Sequence, residues 1–154
     1  MSEEKRRDWF KEDFLSFQRE GAKIVTKPWG MEVWLELNDR YCYKRIYISA
    51  GNKTSLQYHE KKLETNYIIK GEAEVWMQDP NGETNLRIDN QDYTFSVTKR
   101  RENYFFTVTP PTVHRIKALT DIILQEVSTP DVDDVVRLQD DAGRGSGKID
   151  SEHQ

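Results

Sequence analysis

Short runs of apolar residues, mostly β-branched and aromatic, alternate with polar turns over most of the chain after residue 30. Runs of this length and composition predict β-strands, and the Asp-Pro-Asn-Gly sequence at residues 79–82 is typical of the turns between them. Many short strands in succession predict an all-β antiparallel sandwich or barrel. The strands are expected at residues 31–37, 41–48, 65–69, 73–77, 85–88, 93–97, 104–108, 114–118 and 122–127.

A helix is predicted before the first strand. Phe10, Phe14 and Phe17 recur at spacings of four and three, which places them on one face of a helix over residues 8–20. Gly21 ends the helical pattern. We expect the aromatic face to pack on the barrel of its own chain, with a dimer contact as the alternative.

The last part of the chain offers little apolar surface. Residues 133–138 predict either one helical turn or a short edge segment, since two valines and a leucine supply the apolar contacts there. From Gly143 onward, glycines and polar residues give too little burial to offset the entropy of ordering. We therefore expect a flexible tail over residues 141–154, in which His153 is solvated.

Composition narrows the class of protein. The chain has 154 residues, of which 36% are hydrophobic and 32% charged, as suits one small barrel domain. We place this domain at residues 22–140, between a helical arm at residues 1–21 and the tail. The 23 basic and 27 acidic residues are interspersed and give a net charge of −4, so there is no basic stripe and no nucleic-acid partner is expected.

Two absences from the sequence bear on the cellular compartment. The first 20 residues lack a continuous apolar stretch, which predicts neither a signal peptide nor a membrane span. Cys42 is the single cysteine, so no intrachain disulfide and no paired-cysteine zinc site is expected. We therefore expect a cytoplasmic protein with no membrane partner.

Candidate metal ligands follow one another at strand spacing. Gln57 and His59 are two residues apart, so on a strand their side chains point to the same side, and a short turn brings Glu64 back on the neighbouring strand. An amide oxygen, an imidazole nitrogen and a carboxylate oxygen would then converge. Such a mixed set suits zinc, manganese, iron or cobalt.

The stretch from Gly51 to Gly71 resembles the first motif of the cupin superfamily. That motif has the form Gly, five residues, His-x-His, three or four residues, Glu, six residues, Gly, and here Gln57 stands at the first His position. The Thr-Pro-Pro-Thr-Val-His sequence at residues 109–114 resembles the second motif, which makes His114 the fourth candidate ligand. The resemblance implies a single double-stranded β-helix, the cupin jelly-roll barrel, with a short N-terminal helix. It also implies one divalent metal ion, with zinc the first expectation and manganese, iron, cobalt or nickel the alternatives.

The ligand set Gln, His, Glu, His is similar to that of the phosphomannose isomerases. The segments that resemble the cupin domain of the type II enzymes are residues 27–30, 39–41, 44–46, 55–59, 114–116 and 134–144. The resemblance implies a metal-dependent isomerase of phosphorylated aldoses and ketoses, for which mannose 6-phosphate and fructose 6-phosphate are the first pair to test. It also implies a small sugar-phosphate substrate and a homodimer.

An isomerase of this class must move a proton between C1 and C2 of the open-chain sugar and bind the phosphate with cations. By resemblance, Arg115, Arg137 and Arg144 are the candidates for phosphate binding. Lys62 is the candidate for proton transfer, and Arg137 is assigned to the catalytic set as well.

The chain departs from the type II pattern at four positions. That pattern has two further His and an Arg after the metal His, and another His after the Glu. The residues here are Glu60, Lys61, Lys62 and Thr65. Two other functions are therefore kept open: a metal cupin of another reaction class, such as a dioxygenase or lyase acting on a small acid, and a sugar-binding cupin without catalysis.

Overall fold

The computed structural model describes residues 8–153, which form a β-barrel with a helix against its outer face. A 3-10 turn (Asp8–Phe10) leads into the helix α1 (Lys11–Arg19), and a second 3-10 turn (Asp150–His153) ends the described chain. In chain order the strands are β1 (Lys23–Lys27), β2 (Gly30–Leu37), β3 (Cys42–Ile48), β4 (Leu56–Tyr58), β5 (Glu64–Lys70), β6 (Glu72–Gln78), β7 (Thr84–Ile88), β8 (Gln91–Arg101), β9 (Phe105–Val108), β10 (His114–Ala118), β11 (Ile122–Ser128) and β12 (Val136–Gln139).

The strands form two antiparallel six-stranded sheets, in the orders β1-β2-β3-β11-β5-β9 and β12-β4-β10-β6-β8-β7. Strands distant in sequence are neighbours in each sheet. Val127 of β11, for example, lies between Tyr43 of β3 and Thr65 of β5. This arrangement is the double-stranded β-helix, so the predicted jelly-roll barrel with a short N-terminal helix is confirmed.

The main core lies between the two sheets. Ile48 and Ile68 from one sheet meet Val75 and Ile116 from the other, and all four are buried. Complete burial of an aliphatic side chain of this size contributes about 1.5–3 kcal/mol. Gly71, the last residue of the first motif, turns the chain between β5 and β6 at φ 92°, and a Cβ there would come within 2.2 Å of the Asp121 carbonyl oxygen.

The aromatic face of α1 packs on the barrel of its own chain, as predicted. Phe10 is 6% exposed and its ring centroid lies 5.6 Å from that of Tyr47. The hydroxyl of Tyr47 donates a 2.6 Å hydrogen bond to Asp13 of α1. Tyr43, four residues earlier on the same strand, is not covered by the helix and stays exposed.

β1 and β8 differ from the sequence prediction, whereas β12 fits one of its two alternatives. β1 was not expected, although residues 24–26 are β-branched; it forms a hairpin with β2 around Pro28 and Trp29. β8 continues past residue 97 into charged residues, because its backbone stays paired with β6 as far as Arg101. β12 pairs with β4 at the edge of its sheet. Of the two predictions for residues 133–138, the short edge segment is therefore confirmed and the helical turn is not.

The segment expected to be untethered differs most from the structure. Residues 141–153 lie against the barrel, where Arg144 pairs with Asp140 and Glu152, and the ring of His153 packs edge-on against Trp34 with centroids 5.6 Å apart. The physical reason is charge pairing and aromatic packing, which a count of apolar residues does not detect. Within residues 8–153, no helix is long and apolar enough to cross a bilayer.

Candidate metal centre

Three candidate ligands converge inside the barrel. His59 directly follows β4, Glu64 begins β5 and His114 begins β10, and one ligand atom from each lies within 4.8 Å of the others. The Oε1 atom of Glu64 is 2.9 Å from Nε2 of His59 and 3.3 Å from Nε2 of His114. All three side chains are buried. The turn and strand spacing of the sequence thus brings the predicted donors together.

Hydrogen bonds at the other ring nitrogens define which atoms face the centre. Nδ1 of His59 is 2.6 Å from the carbonyl oxygen of Asp134, and Nδ1 of His114 is 3.0 Å from that of Thr112. A carbonyl oxygen only accepts, so both Nδ1 atoms carry the proton. In neutral imidazoles both Nε2 lone pairs then point at one carboxylate oxygen of Glu64, where a bound cation would offset their mutual repulsion. The residues present therefore fit a divalent metal ion.

Gln57 faces the same cavity as the other three candidates. It lies on β4 directly opposite His114 of β10. Its side-chain oxygen accepts a 2.5 Å hydrogen bond from the hydroxyl of Ser55, which fixes the orientation of the amide. Two imidazole nitrogens, a carboxylate and an amide oxygen suit zinc and the neighbouring first-row metals. Metal binding by these four residues stays a prediction.

Asp134 supports the centre from the loop before β12. Its carboxylate accepts the main-chain N–H groups of three consecutive residues, Glu60, Lys61 and Lys62, at 2.7–3.1 Å. Burial raises the pKa of Asp134, but these hydrogen bonds outweigh it and lower the pKa below its usual value. Asp134 thereby fixes the turn between β4 and β5, and its carbonyl oxygen orients His59.

A second group of charged residues lies beside the centre, and of its members the sequence predicted Lys62 but not Glu126. Glu126 of β11 is 5% exposed, shares a hydrogen bond with Glu64 and lies 3.5 Å from the ammonium of Lys62. Burial raises the pKa of Glu126 to about 8, while Glu64 stays ionised. Burial would lower the pKa of Lys62, but the carboxylates, first Glu126, outweigh it and raise the pKa above its usual range.

A signal for Glu126 was present in the sequence. Residues 122, 124, 126 and 128 alternate with outward residues along β11, so Glu126 occupies a position where the pattern predicts an apolar side chain. A charged residue at an inward position is uncommon and indicates a partner or a function. Lys44 repeats the pattern on β3, where its ammonium lies 3.3 Å from the carboxylate of Glu32.

The three predicted phosphate-binding arginines do not come together at the cavity. Arg137 and Arg144 line it, but Arg115 does not. Arg115 alternates with His114 along β10, so its side chain lies on the opposite face of the strand, and its Nε donates to the carbonyl oxygen of Thr54 at 3.0 Å. Arg137 donates to the carbonyl oxygens of Gly145 and Gly147. Lys62, the predicted catalytic residue, does line the cavity.

Of the four positions that depart from the type II pattern, Lys62 alone is buried at the cavity. Glu60 and Lys61 are exposed on the turn before it. The Thr65 hydroxyl bonds that of Thr107 at 2.9 Å on the outer face of the sheet. The altered residue after the metal Glu therefore lies outside the site, because successive strand residues alternate faces.

The fold and this site define a cupin with a candidate metal centre. The family model described as Mannose-6-phosphate isomerase C-terminal matches residues 18–140, so the chain belongs to that family. The xanthan biosynthesis protein XanB of Xanthomonas campestris pv. campestris (strain B100) is 32% identical over 122 residues, which cover 78% of this chain and 23% of XanB. Mannose-1-phosphate guanylyltransferase ManC of Salmonella typhimurium is 30% identical, also over 78% of this chain and 23% of that protein. The chain thus spans about a quarter of the length of these curated relatives.

Solved structures with the same fold are more distant in sequence. An RmlC-like cupin from Shewanella frigidimarina superposes with a TM-score of 0.54 at 18% identity, covering 72% of this chain and 86% of that chain. The capsular polysaccharide assembling protein CapF from Staphylococcus aureus gives a TM-score of 0.57 at 12% identity, covering 77% of this chain and 34% of that chain. At these identities the likeness concerns the fold alone.

Proposed function

We propose that this protein is a metal-dependent isomerase of phosphorylated aldoses and ketoses, and that mannose 6-phosphate and fructose 6-phosphate are its first substrates to test. One observation carries the proposal: a single cavity joins the His59, Glu64 and His114 cluster to the buried pair formed by Lys62 and Glu126. Membership of the Mannose-6-phosphate isomerase C-terminal family supports the same substrate class.

The reaction requires charge stabilisation and proton transfer at adjacent points. A divalent ion held by the ligand cluster supplies a Lewis acid, which stabilises the negative charge that develops on a sugar oxygen. Glu126 lies beside that cluster, where its carboxylate can take a proton from one carbon and the resulting carboxylic acid can return it to the next. Lys62, 3.5 Å away, orients that carboxyl group and favours its ionised form.

The same cavity offers cations for a phosphate. The cations that line it are Lys27, Lys148, Arg137 and Arg144. Residues 147–149 line the cavity as well, and the part formed by these cations and residues 147–149 is called its mouth. A phosphate there would place the sugar chain between these cations and the ligand cluster. The surrounding barrel wall excludes water, which strengthens the electrostatic interactions of the bound sugar.

The test is turnover by the full chain after chelation and reloading with zinc, manganese, cobalt or nickel, or anaerobically with iron(II). Conversion of mannose 6-phosphate to fructose 6-phosphate, followed by proton NMR in deuterium oxide, is expected with at least one of these metals. Incorporation of deuterium at C1 of fructose 6-phosphate would reveal the proton transfer. Loaded protein that converts neither these nor related sugar phosphates would disprove the proposal.

The two other functions left open by the sequence give different results in that assay. A sugar-binding cupin binds the sugar phosphate without deuterium incorporation. A dioxygenase, loaded with iron, consumes oxygen in the presence of its substrate. Neither result is compatible with isomerase activity being the function of this site.

A further inference from the structure

The C-terminal segment, residues 140–153, forms one wall of the metal cavity. Gly147, Lys148, Ile149 and His153 line the same space as the candidate ligands. With the segment in place the cavity measures about 110 Å³. Small-molecule sites measure about 300–1,000 Å³, so a sugar phosphate needs more room than this conformation provides. The family match ends at residue 140, which leaves most of the segment outside the shared domain.

One carboxylate of this segment bridges two cations at the mouth. Oε1 of Glu152 lies 2.8 Å from the ammonium of Lys27, and Oε2 lies 3.3 Å from Nη1 of Arg144. The three side chains are only 9–11% exposed. A carboxylate held with one oxygen on each cation is chemically similar to a phosphate group, which presents its oxygens to lysine and arginine in the same way.

Arg144 keeps its orientation independently of Glu152. Asp140 accepts from Nε at 3.1 Å and from Nη2 at 2.8 Å, a two-point contact that fixes the plane of the guanidinium. The Nη1 atom, which donates to Glu152, lies on the other side of the group. Removal of Glu152 would therefore leave a donor already positioned for another anion.

The segment is not perfectly accommodated. Among the described residues, Nδ1 of His153 and Nε of Arg137 are buried without a hydrogen-bond partner. A buried polar atom left unpaired destabilises the conformation that buries it. This destabilisation lowers the free energy needed to displace the segment from the mouth.

We propose that Lys27 and Arg144 form an anion subsite at the mouth of the metal cavity, and that Glu152 occupies this subsite until the phosphate of the substrate displaces it. The identity of the anion as a sugar phosphate rests on the proposed function, whereas the subsite itself requires only a phosphate group. Displacement lifts residues 147–153 from the mouth and enlarges the cavity. The apparent affinity for phosphate is then the intrinsic affinity multiplied by the fraction of molecules in which Glu152 has left the subsite.

The test is calorimetric titration of the metal-loaded full chain with inorganic phosphate and, separately, with mannose 6-phosphate. Glu152→Gln removes the competing charge and is expected to bind inorganic phosphate about threefold to tenfold more tightly. Lys27→Met removes half of the subsite and is expected to bind it by a similar factor more weakly. Glu83→Gln is the matched control, because Glu83 is an exposed acidic residue that does not line the cavity, and it is expected to leave the affinity unchanged.

Hydrogen exchange provides a readout besides affinity. Amide exchange in residues 147–153 is expected to rise when phosphate is added and to be already raised in Glu152→Gln without it. Unchanged affinity in Glu152→Gln, or protection of the segment on adding phosphate, would overturn the proposal. Phosphate binding that follows these expectations without sugar isomerisation would instead reject the proposed function and leave the subsite standing.

Discussion

Nδ1 of His59 donates a 2.6 Å hydrogen bond to the main-chain oxygen of Asp134, a residue 75 positions further along the chain. The bond joins the end of β4 to the loop before β12 and leaves Nε2 as the atom that faces the centre. A surface or core histidine has no need of such an orientation, whereas metal-bound histidines usually have a partner of this kind. The two predictions on metal binding that follow depend on that arrangement.

Removal of any of the three clustered ligands is expected to abolish stoichiometric metal binding. His59→Ala, Glu64→Ala and His114→Ala each remove one donor from a set whose atoms lie within 4.8 Å. Gln57→Ala removes the amide oxygen and is expected to weaken binding. His153→Ala is the control, since this histidine lines the same cavity outside the cluster. Elemental analysis of the loaded proteins measures the effect, and full metal content in all three ligand variants would refute the assigned site.

Asp134→Ala is expected to weaken metal binding although it removes no ligand. The variant loses the carboxylate that holds three main-chain N–H groups of the turn, so the carbonyl that orients His59 is no longer fixed. Loss of such a supporting contact typically weakens metal affinity about 10- to 100-fold. Competition with a chromophoric chelator measures the change. Asp133→Ala, the exposed neighbour, should match the wild type; equal affinity in both variants would show that Asp134 does not support the centre.

Regular spacing was sufficient to predict an all-β sandwich or barrel and the convergence of three donors, whereas the cupin resemblance was needed to predict the jelly-roll barrel. Alternation along strands brought Gln57 and His59 to one side, and a short turn returned Glu64 beside them. The cupin resemblance supplied His114. The same alternation, applied to the predicted strand at residues 114–118, puts Arg115 on the face opposite His114, so the assignment of Arg115 to the phosphate site conflicted with the strand pattern.

Contacts made by charged residues across long sequence separations also escaped prediction. Glu126 and Lys62 are 64 positions apart and Lys27 and Glu152 are 125 positions apart. No local pattern links the members of such pairs, although an inward charge on a strand indicates that some partner exists. The tail was misjudged for the same reason, since ion pairs and one aromatic contact hold it without much apolar surface.

Phe10→Ala is expected to destabilise the barrel without affecting metal binding. Phe10 is 6% exposed against Tyr47 on the outer face of β3, away from the cavity. Loss of a buried Phe side chain costs about 3 kcal/mol or more. Leu15→Ala is the control on the same helix, since Leu15 is 41% exposed. Urea unfolding measures both; equal midpoints in the two variants would show that the helix adds nothing to stability.

The pair formed by Glu32 and Lys44 is expected to contribute acid-sensitive stability. Burial would raise the pKa of Glu32, but Lys44 and two further lysines outweigh it and lower the pKa to about 2. Because the folded pKa is below the usual 4.5, the ionised group stabilises the fold above pH 4.5, and the contribution is lost as the pH falls toward 2. Its size is up to roughly 3 kcal/mol, at about 1.4 kcal/mol per pKa unit.

Glu32→Gln tests this contribution by urea unfolding at a series of pH values. The variant is expected to be less stable at pH 7, because Lys44 is left buried beside a neutral group. Its free energy of unfolding should also fall less steeply than that of the wild type between pH 4.5 and 2. Glu36→Gln, an exposed position on the same strand, provides the comparison. Parallel pH curves for Glu32→Gln and the wild type would contradict the assignment.

Glu126→Gln and Lys62→Met are expected to separate proton transfer from metal binding. Glu126 is not among the three clustered ligands, and its amide replacement keeps the size of the side chain and a hydrogen bond to Glu64. Both variants should therefore retain metal.

Because the amide cannot accept the carbon-bound proton, kcat of Glu126→Gln should fall about 100- to 10,000-fold with little change in KM. Lys62→Met should lower kcat less, since Lys62 acts through Glu126, and Lys61→Met, an exposed neighbour, should not lower it. Wild-type kcat in Glu126→Gln would place proton transfer elsewhere, and loss of metal from that variant would make Glu126 a ligand.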